Sequence, residues 1–142
     1  QHKTKKYEVR LSLRPIPQKM VAEYNEWLKK KVKDTTMIDP NSLFHAEFHA
    51  TMLNIAGTGA IEEPQFFDPS SVKSEFGADA GKYAFIHNMA SPFSDKYRNC
   101  LMVGLHKKDV GQVYIFHLFD ELHEVEDLIN TMFYALKFSC RK

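Results

Sequence analysis

Val113–Phe119 (VYIFHLF) restricts the fold more than any other stretch, because both of its faces are apolar. A strand reads this way when other layers cover it on both sides. Asn99–His106 (NCLMVGLH) before it is equally apolar, and the polar Lys107–Gly111 between them reads as a hairpin turn. The chain therefore centres on two adjacent antiparallel strands.

The remaining periodicities are assigned around that hairpin. Tyr7, Val9, Leu11 and Leu13 alternate with polar residues, which predicts a half-buried strand stopped by Pro15-Ile-Pro17. Met20, Val21, Tyr24, Trp27, Leu28 and Val32 form one apolar stripe and predict a helix over 17–33. Phe44, Ala46, Phe48, Ala50 and Met52 alternate with His45, Glu47, His49 and Thr51, which reads as a second strand. Gly57-Thr58-Gly59 reads as a hairpin turn leading to a third strand near 60–63. Residues 64–81 are the least regular, with room for one short strand. Tyr83–Met89 reads as a strand and Ser91–Asp95 as a turn. Leu122, Val125, Ile129, Met132, Phe133 and Leu136 stripe a terminal helix, whose apolar arc Leu128, Tyr134 and Phe138 widen. No strand–helix alternation repeats, so the expected class is α+β with a mostly antiparallel sheet. One domain is expected over 1–142, with 1–6 as a flexible basic tail.

Composition narrows the function classes. At 44% apolar and 13% aromatic residues the chain is not of disordered type. No apolar run approaches the roughly 20 residues of a membrane helix. Cys100 and Cys140 do not make a disulfide framework, and a reduced, cytoplasmic setting is expected. Residues 1–33 hold ten basic and three acidic residues, a net +7, while the remainder is net −6. Such a basic end suits an anionic surface such as acidic lipid. Nucleic acid is not the expected partner, because aromatics are not interleaved with the basic residues.

Seven histidines raise enzyme readings. His45, Glu47 and His49 on one strand face would be too far apart for a single ion without further ligands, so no metal is expected. His49-Ala-Thr51 matches half of the His-x-Thr pattern of two-histidine phosphoesterases. The other half is missing, since His117-Leu-Phe119 lacks the hydroxyl. There is no Gly-rich phosphate loop, no Cys-x-x-Cys pair and no nucleophile–base set. The expectation is a protein without catalytic residues or cofactor. A small immunity protein binding a toxin is the further alternative to the phosphoesterase.

Three stretches carry a family resemblance: FHATMLNIAGTGAIEE (48–63), YAFIHNMASPFSDKYRNCLMVGLH (83–106) and Val113–Phe138, with its FHLFDE step and aromatic-rich end. Their order resembles the phosphotyrosine-binding (PTB) domain family of the pleckstrin-homology (PH) superfold. The chain departs from the family at Phe116, where a Cys is common, and in VRLSLRP, where a Tyr-Leu-Gly step is usual. The resemblance implies a seven-stranded antiparallel bent β-sandwich, with a helix inserted after the first strand and a C-terminal capping helix. It implies a non-catalytic adaptor binding an Asn-Pro-x-Tyr-type peptide from a receptor tail, added as a strand along Tyr83–Ala90. Tyr83, Phe85, Ile86, His87, Asn88 and Met89 would then line the site, with Ile129, Met132, Phe133, Tyr134 and Leu136 from the terminal helix. Tyr83–Ala90 contains no Arg or Lys, which argues for a phosphorylation-independent mode. Family members of that kind often bind phosphoinositides on a basic patch, here Lys5, Lys6, Arg10, Lys29, Lys30 and Lys33.

Overall fold

Three long strands near the end of the chain form the centre of the computed structural model, which describes residues 7–30, 37–89 and 96–121. The elements run β1 (Tyr7–Pro15), α1 (Gln18–Lys30), a 3-10 turn (Pro40–Leu43), α2 (Phe44–Ala56), β2 (Ala60–Ile61), β3 (Gln65–Phe66), α3 (Pro69–Phe76), β4 (Ala80–His87), β5 (Asn99–Lys107) and β6 (Gly111–Phe119). β4, β5 and β6 form an antiparallel meander. β1 pairs with the far side of β6, while β2 and β3 pair with the far side of β4. The class is α+β, and the described strands are six in one open antiparallel sheet.

All nine residues of β6 are buried, as an apolar run with two covered faces requires. Tyr114, Phe116 and Leu118 share one face with Cys100, Met102, Ala84 and Ile86 beneath α2. Val113, Ile115 and Phe119 share the other with Leu101, Val103 and Leu105, where α3 contributes Val72 and Phe76. Each fully buried Leu, Phe or Met side chain contributes about 1.5–3 kcal/mol, so these two clusters dominate stability.

Residues 44–52 are helical, which corrects the expected second strand. Phe44, Phe48, Met52, Ile55 and Ala56 are the buried positions, and their spacing is that of one helix stripe. Ala46 and Ala50, which completed the apparent alternation, are exposed. Gly57 ends α2 at φ 56°, its N–H bonded to the Leu53 carbonyl, so its positive φ serves a helix stop and not a hairpin. α2 lies close to the sheet because β5 carries Gly104, where an added Cβ would come within 2.7 Å of the Phe48 ring.

The irregular stretch 64–81 contains β3, the start of β4 and a helix not expected there. Asp68 caps α3 by accepting from the Ser71 N–H, Pro69 follows at the first helical position, and Gly77 closes it in the left-handed region at φ 66°. The Ser70 hydroxyl and then the Ser71 N–H hold the Asp68 carboxyl below its ordinary pKa.

α1 follows Pro17, which accepts from the N–H of Met20. Of its expected stripe only Val21 is buried; Tyr24 and Trp27 stack on each other, and Val32 lies outside the described residues. The turn Ser91–Asp95 and the terminal helix also lie outside them.

Candidate binding groove beside the first strand

Among the described residues β1 is bonded to a strand on one side only. The Ile16 N–H donates to the Val110 carbonyl at 2.9 Å, continuing the register that pairs Pro15 with Gly111. Hydrogen-bonded and non-bonded pairs alternate along an antiparallel ladder, so even-numbered residues of β1 bond to β6. Tyr7, Val9, Leu11 and Leu13 therefore turn their N–H and C=O groups to the outer edge. Pro15 falls in the same set, so its missing N–H costs no ladder bond. Among the described residues no strand pairs with that edge.

A groove of about 630 Å³ runs beside this strand, lined by Ser12, Arg14, Glu47, Ala50, Thr51, Asn54, Ile55 and Phe116. Glu47, Thr51 and Asn54 are one side of α2, at spacings of four and three residues. Ser12 and Arg14 come from β1, and Phe116 and Ile55 are the apolar floor. The Arg14 guanidinium lies 3.4 Å from the Glu47 carboxylate and 4.8 Å above the Tyr114 ring. It also donates to the hydroxyls of Ser12 and Thr51. Both ionic partners are about one-third exposed, so the pair contributes at most about 1 kcal/mol. Its effect is to fix the two side chains at the groove wall.

Behind Glu47 the polar contacts continue inward. The Gln112 amide donates to Glu47, and its oxygen meets His106 Nδ1 at 3.0 Å. His106 stacks on Phe44. The Tyr114 hydroxyl is buried and faces Glu47 without completing a hydrogen bond. Burial first, and then the Glu47 carboxylate, raise its pKa well above the ordinary phenol range. Tyr114 thus stays a neutral donor aimed at the groove wall.

The edge expected to receive a peptide is filled by the chain itself. Ala60 and Ile61 pair with His87 and Ile86, and Gln65 and Phe66 pair with Tyr83 and Lys82. The Glu62 N–H also bonds the Phe85 carbonyl, and the Phe67 N–H that of Gly81. Ile86 and Met89 belong to the core under α2. Tyr83 and Phe85 are half-buried on the opposite face, His87 contacts Glu62 at 3.0 Å, and Asn88 is exposed. Ile129, Met132, Phe133, Tyr134 and Leu136 lie outside the described residues, as do Lys5, Lys6 and Lys33. Arg10 sits on β1 against Glu8, while Lys29 and Lys30 are exposed in the last turn of α1.

The histidines are dispersed. His45 and His49 are one turn apart on α2, not on a strand face, and Glu47 points elsewhere into the groove wall. Burial and then Lys82 lower the His45 pKa. His49 is exposed on the helix layer, whereas His117 is buried in β6 with its side chain on the opposite face of the sheet. No group of three or more metal-ligating side chains forms among the described residues. Cys100 is buried, which pushes its thiol up to about 12, and Cys140 lies outside the described residues.

The period-two reading of residues 44–52 hid the shared helix side of Glu47, Thr51 and Asn54, while nothing local links Arg14 on β1 to that side. The signal was present: Phe44, Phe48, Met52 and Ile55 as the buried stripe place Glu47, Thr51 and Asn54 on its flank. Comparison with protein-family models, curated proteins and solved structures finds no match.

Proposed function

We propose that the domain is a non-catalytic interaction module that takes an extended peptide as an added strand on the outer edge of β1. The observation that carries this reading is a nine-residue strand that, among the described residues, pairs with a strand on one side only, with a groove between it and α2. Backbone pairing would supply much of the contact, and the groove would select side chains. In this proposal the likeness to PTB domains lies in the mode of recognition, an edge strand beside a helix, and not in a seven-stranded PH-like sandwich. Asn-Pro-x-Tyr segments of receptor tails are the first class of ligand to offer.

Glu47 already neutralises Arg14 and would repel a phosphate, which favours an unphosphorylated ligand. In an amide-resolved titration, such peptides should shift Leu11, Leu13, Thr51 and Asn54, and tyrosine phosphorylation should not tighten binding. Shifts confined to β4, or tighter binding of the phosphopeptide, would overturn this placement of the site.

A cytoplasmic setting and an anionic membrane surface complete the proposal. Lys29 and Lys30 favour it, being exposed at the C-terminal turn of α1 within the basic first third. No helix among the described residues is long and apolar enough to cross a membrane. Binding to vesicles containing a phosphoinositide should fall about tenfold or more when Lys29 and Lys30 are both changed to Glu. Unchanged co-sedimentation of that variant would make the two lysines ordinary surface.

A further inference from the structure

An open strand edge in a free protein is a template for another chain. Natural edges are blunted by bulges, inward-pointing charges or prolines within the strand. β1 has a regular nine-residue register with β6, and its only proline is the last residue. Its outer half carries Leu11 and Leu13, 56% and 71% exposed, on the face away from α2.

We propose that a second copy of this chain closes the edge, β1 against β1 in antiparallel sense, about a two-fold axis through Leu11. Only odd residues present outward backbone groups, so Leu11 opposite Leu11 of the copy is a hydrogen-bonded pair, flanked by Val9 opposite Leu13. The even positions then place Glu8 opposite Arg14 and Arg10 opposite Ser12, twice by symmetry. The apolar face matches apolar residues, and on the polar face Glu8 meets Arg14 while Arg10 meets the neutral Ser12, so no like charges oppose each other in an isologous contact. Moving the axis by one residue destroys this. An axis through Arg10 sets Arg10 against itself, and one through Ser12 sets Arg10 against Arg14. The sequence of β1 therefore selects one register, centred on Val9, Leu11 and Leu13. The contact does not depend on a peptide ligand, but it occupies the same edge, so peptide and second copy exclude each other.

The test uses the full chain without peptide. Sedimentation equilibrium should show a reversible monomer–dimer equilibrium, and Glu8→Lys should weaken the dimer about tenfold or more. Adding Arg14→Glu to Glu8→Lys should restore it, because each altered strand again meets its complement. In a Cys140→Ser background the remaining native thiol, Cys100, is buried. There Leu11→Cys should form a disulfide-linked dimer under mild oxidation, since facing Cα atoms in such a pair lie about 5.5 Å apart. Leu13→Cys should not link to itself, being about four residues, or roughly 13 Å, from its equivalent. Both sites are exposed, and circular dichroism checks that each variant folds. A chain that stays monomeric, a dimer indifferent to Glu8→Lys, or equal cross-linking at both sites would overturn the proposal. Peptide capture is read separately on the Glu8→Lys monomer, so failure of the dimer and failure of the peptide reading are told apart.

Discussion

Acidification from pH 6.5 to pH 4 should cost the fold about 3 kcal/mol at His117 alone. This side chain is 0% exposed in β6, and neither ring nitrogen has a hydrogen-bond partner. Its cross-strand neighbours on that face are Val9 and Leu101. Desolvation disfavours the imidazolium and lowers the folded-state pKa from 6.5 to about 4. The unfolded chain thus binds a proton between those values that the folded chain does not. Stability is complete above pH 6.5, falls as the pH drops toward 4, and levels off below. The size is substantial against the 5–15 kcal/mol that holds a typical domain together. His117→Leu should remove this part of the acid limb. It should also stabilise the neutral protein by about 1–2 kcal/mol, because two unsatisfied nitrogens leave an apolar site. Urea denaturation at pH 4, 5.5 and 7 measures both effects. A variant with the wild-type pH dependence, or one less stable at pH 7, would show that the imidazole makes a favourable contact.

Phe48→Ala should cost about 3–5 kcal/mol in the same assay, enough to unfold much of the population if the domain is of ordinary stability. Phe48 is 0% exposed, with Phe44 and Tyr114 rings at 6.3 Å. It also sits over Gly104, the notch that lets α2 approach β5. Gly104→Ala should cost about 1–3 kcal/mol in the wild type, because the new methyl overlaps a ring that packing holds in place. In the Phe48→Ala background the methyl meets the vacated space, and its cost should largely vanish. That non-additivity is the signature of direct contact. Full additivity would mean that α2 does not rest on β5 through this pair. The groove depends on the same contact, since Glu47, Thr51 and Asn54 are carried by α2.

What was legible in the sequence follows from how strongly each segment's period was imposed. β5 and β6 are apolar on both faces, and their turn is polar, so nothing else fits. β1 alternates cleanly, but its outer half is turned the other way from the expectation: Ser12 and Arg14 are half-buried beside α2, and Leu11 and Leu13 are exposed. Residues 44–52 misled because alanine is neutral to burial: Ala46 and Ala50 completed a period-two pattern while exposed on the helix. The deciding residues were Ile55 and Ala56, which extend the Phe44, Phe48, Met52 stripe and have no place in a strand ending at 52. α3 was announced by Asp68-Pro69 and Gly77, a cap, a first-turn proline and a stop, but only Val72 and Phe76 of its eight residues are buried. So short a helix shows little periodicity. The groove was illegible for a different reason: it joins residues 12–14 to residues 47–55, and no local pattern reports that proximity.

The short segment beside β4 has a kinetic and competitive meaning beyond its four paired residues. Residues 60–67 are tethered to the strand they cover by only a dozen or so residues of chain through α3. Tethered pairing is intramolecular, and a short tether gives an effective concentration in the millimolar range. A free peptide at micromolar concentration, offering the same ladder bonds, competes at a disadvantage of about a thousandfold. One side of the sheet is thereby reserved for the chain itself by proximity alone.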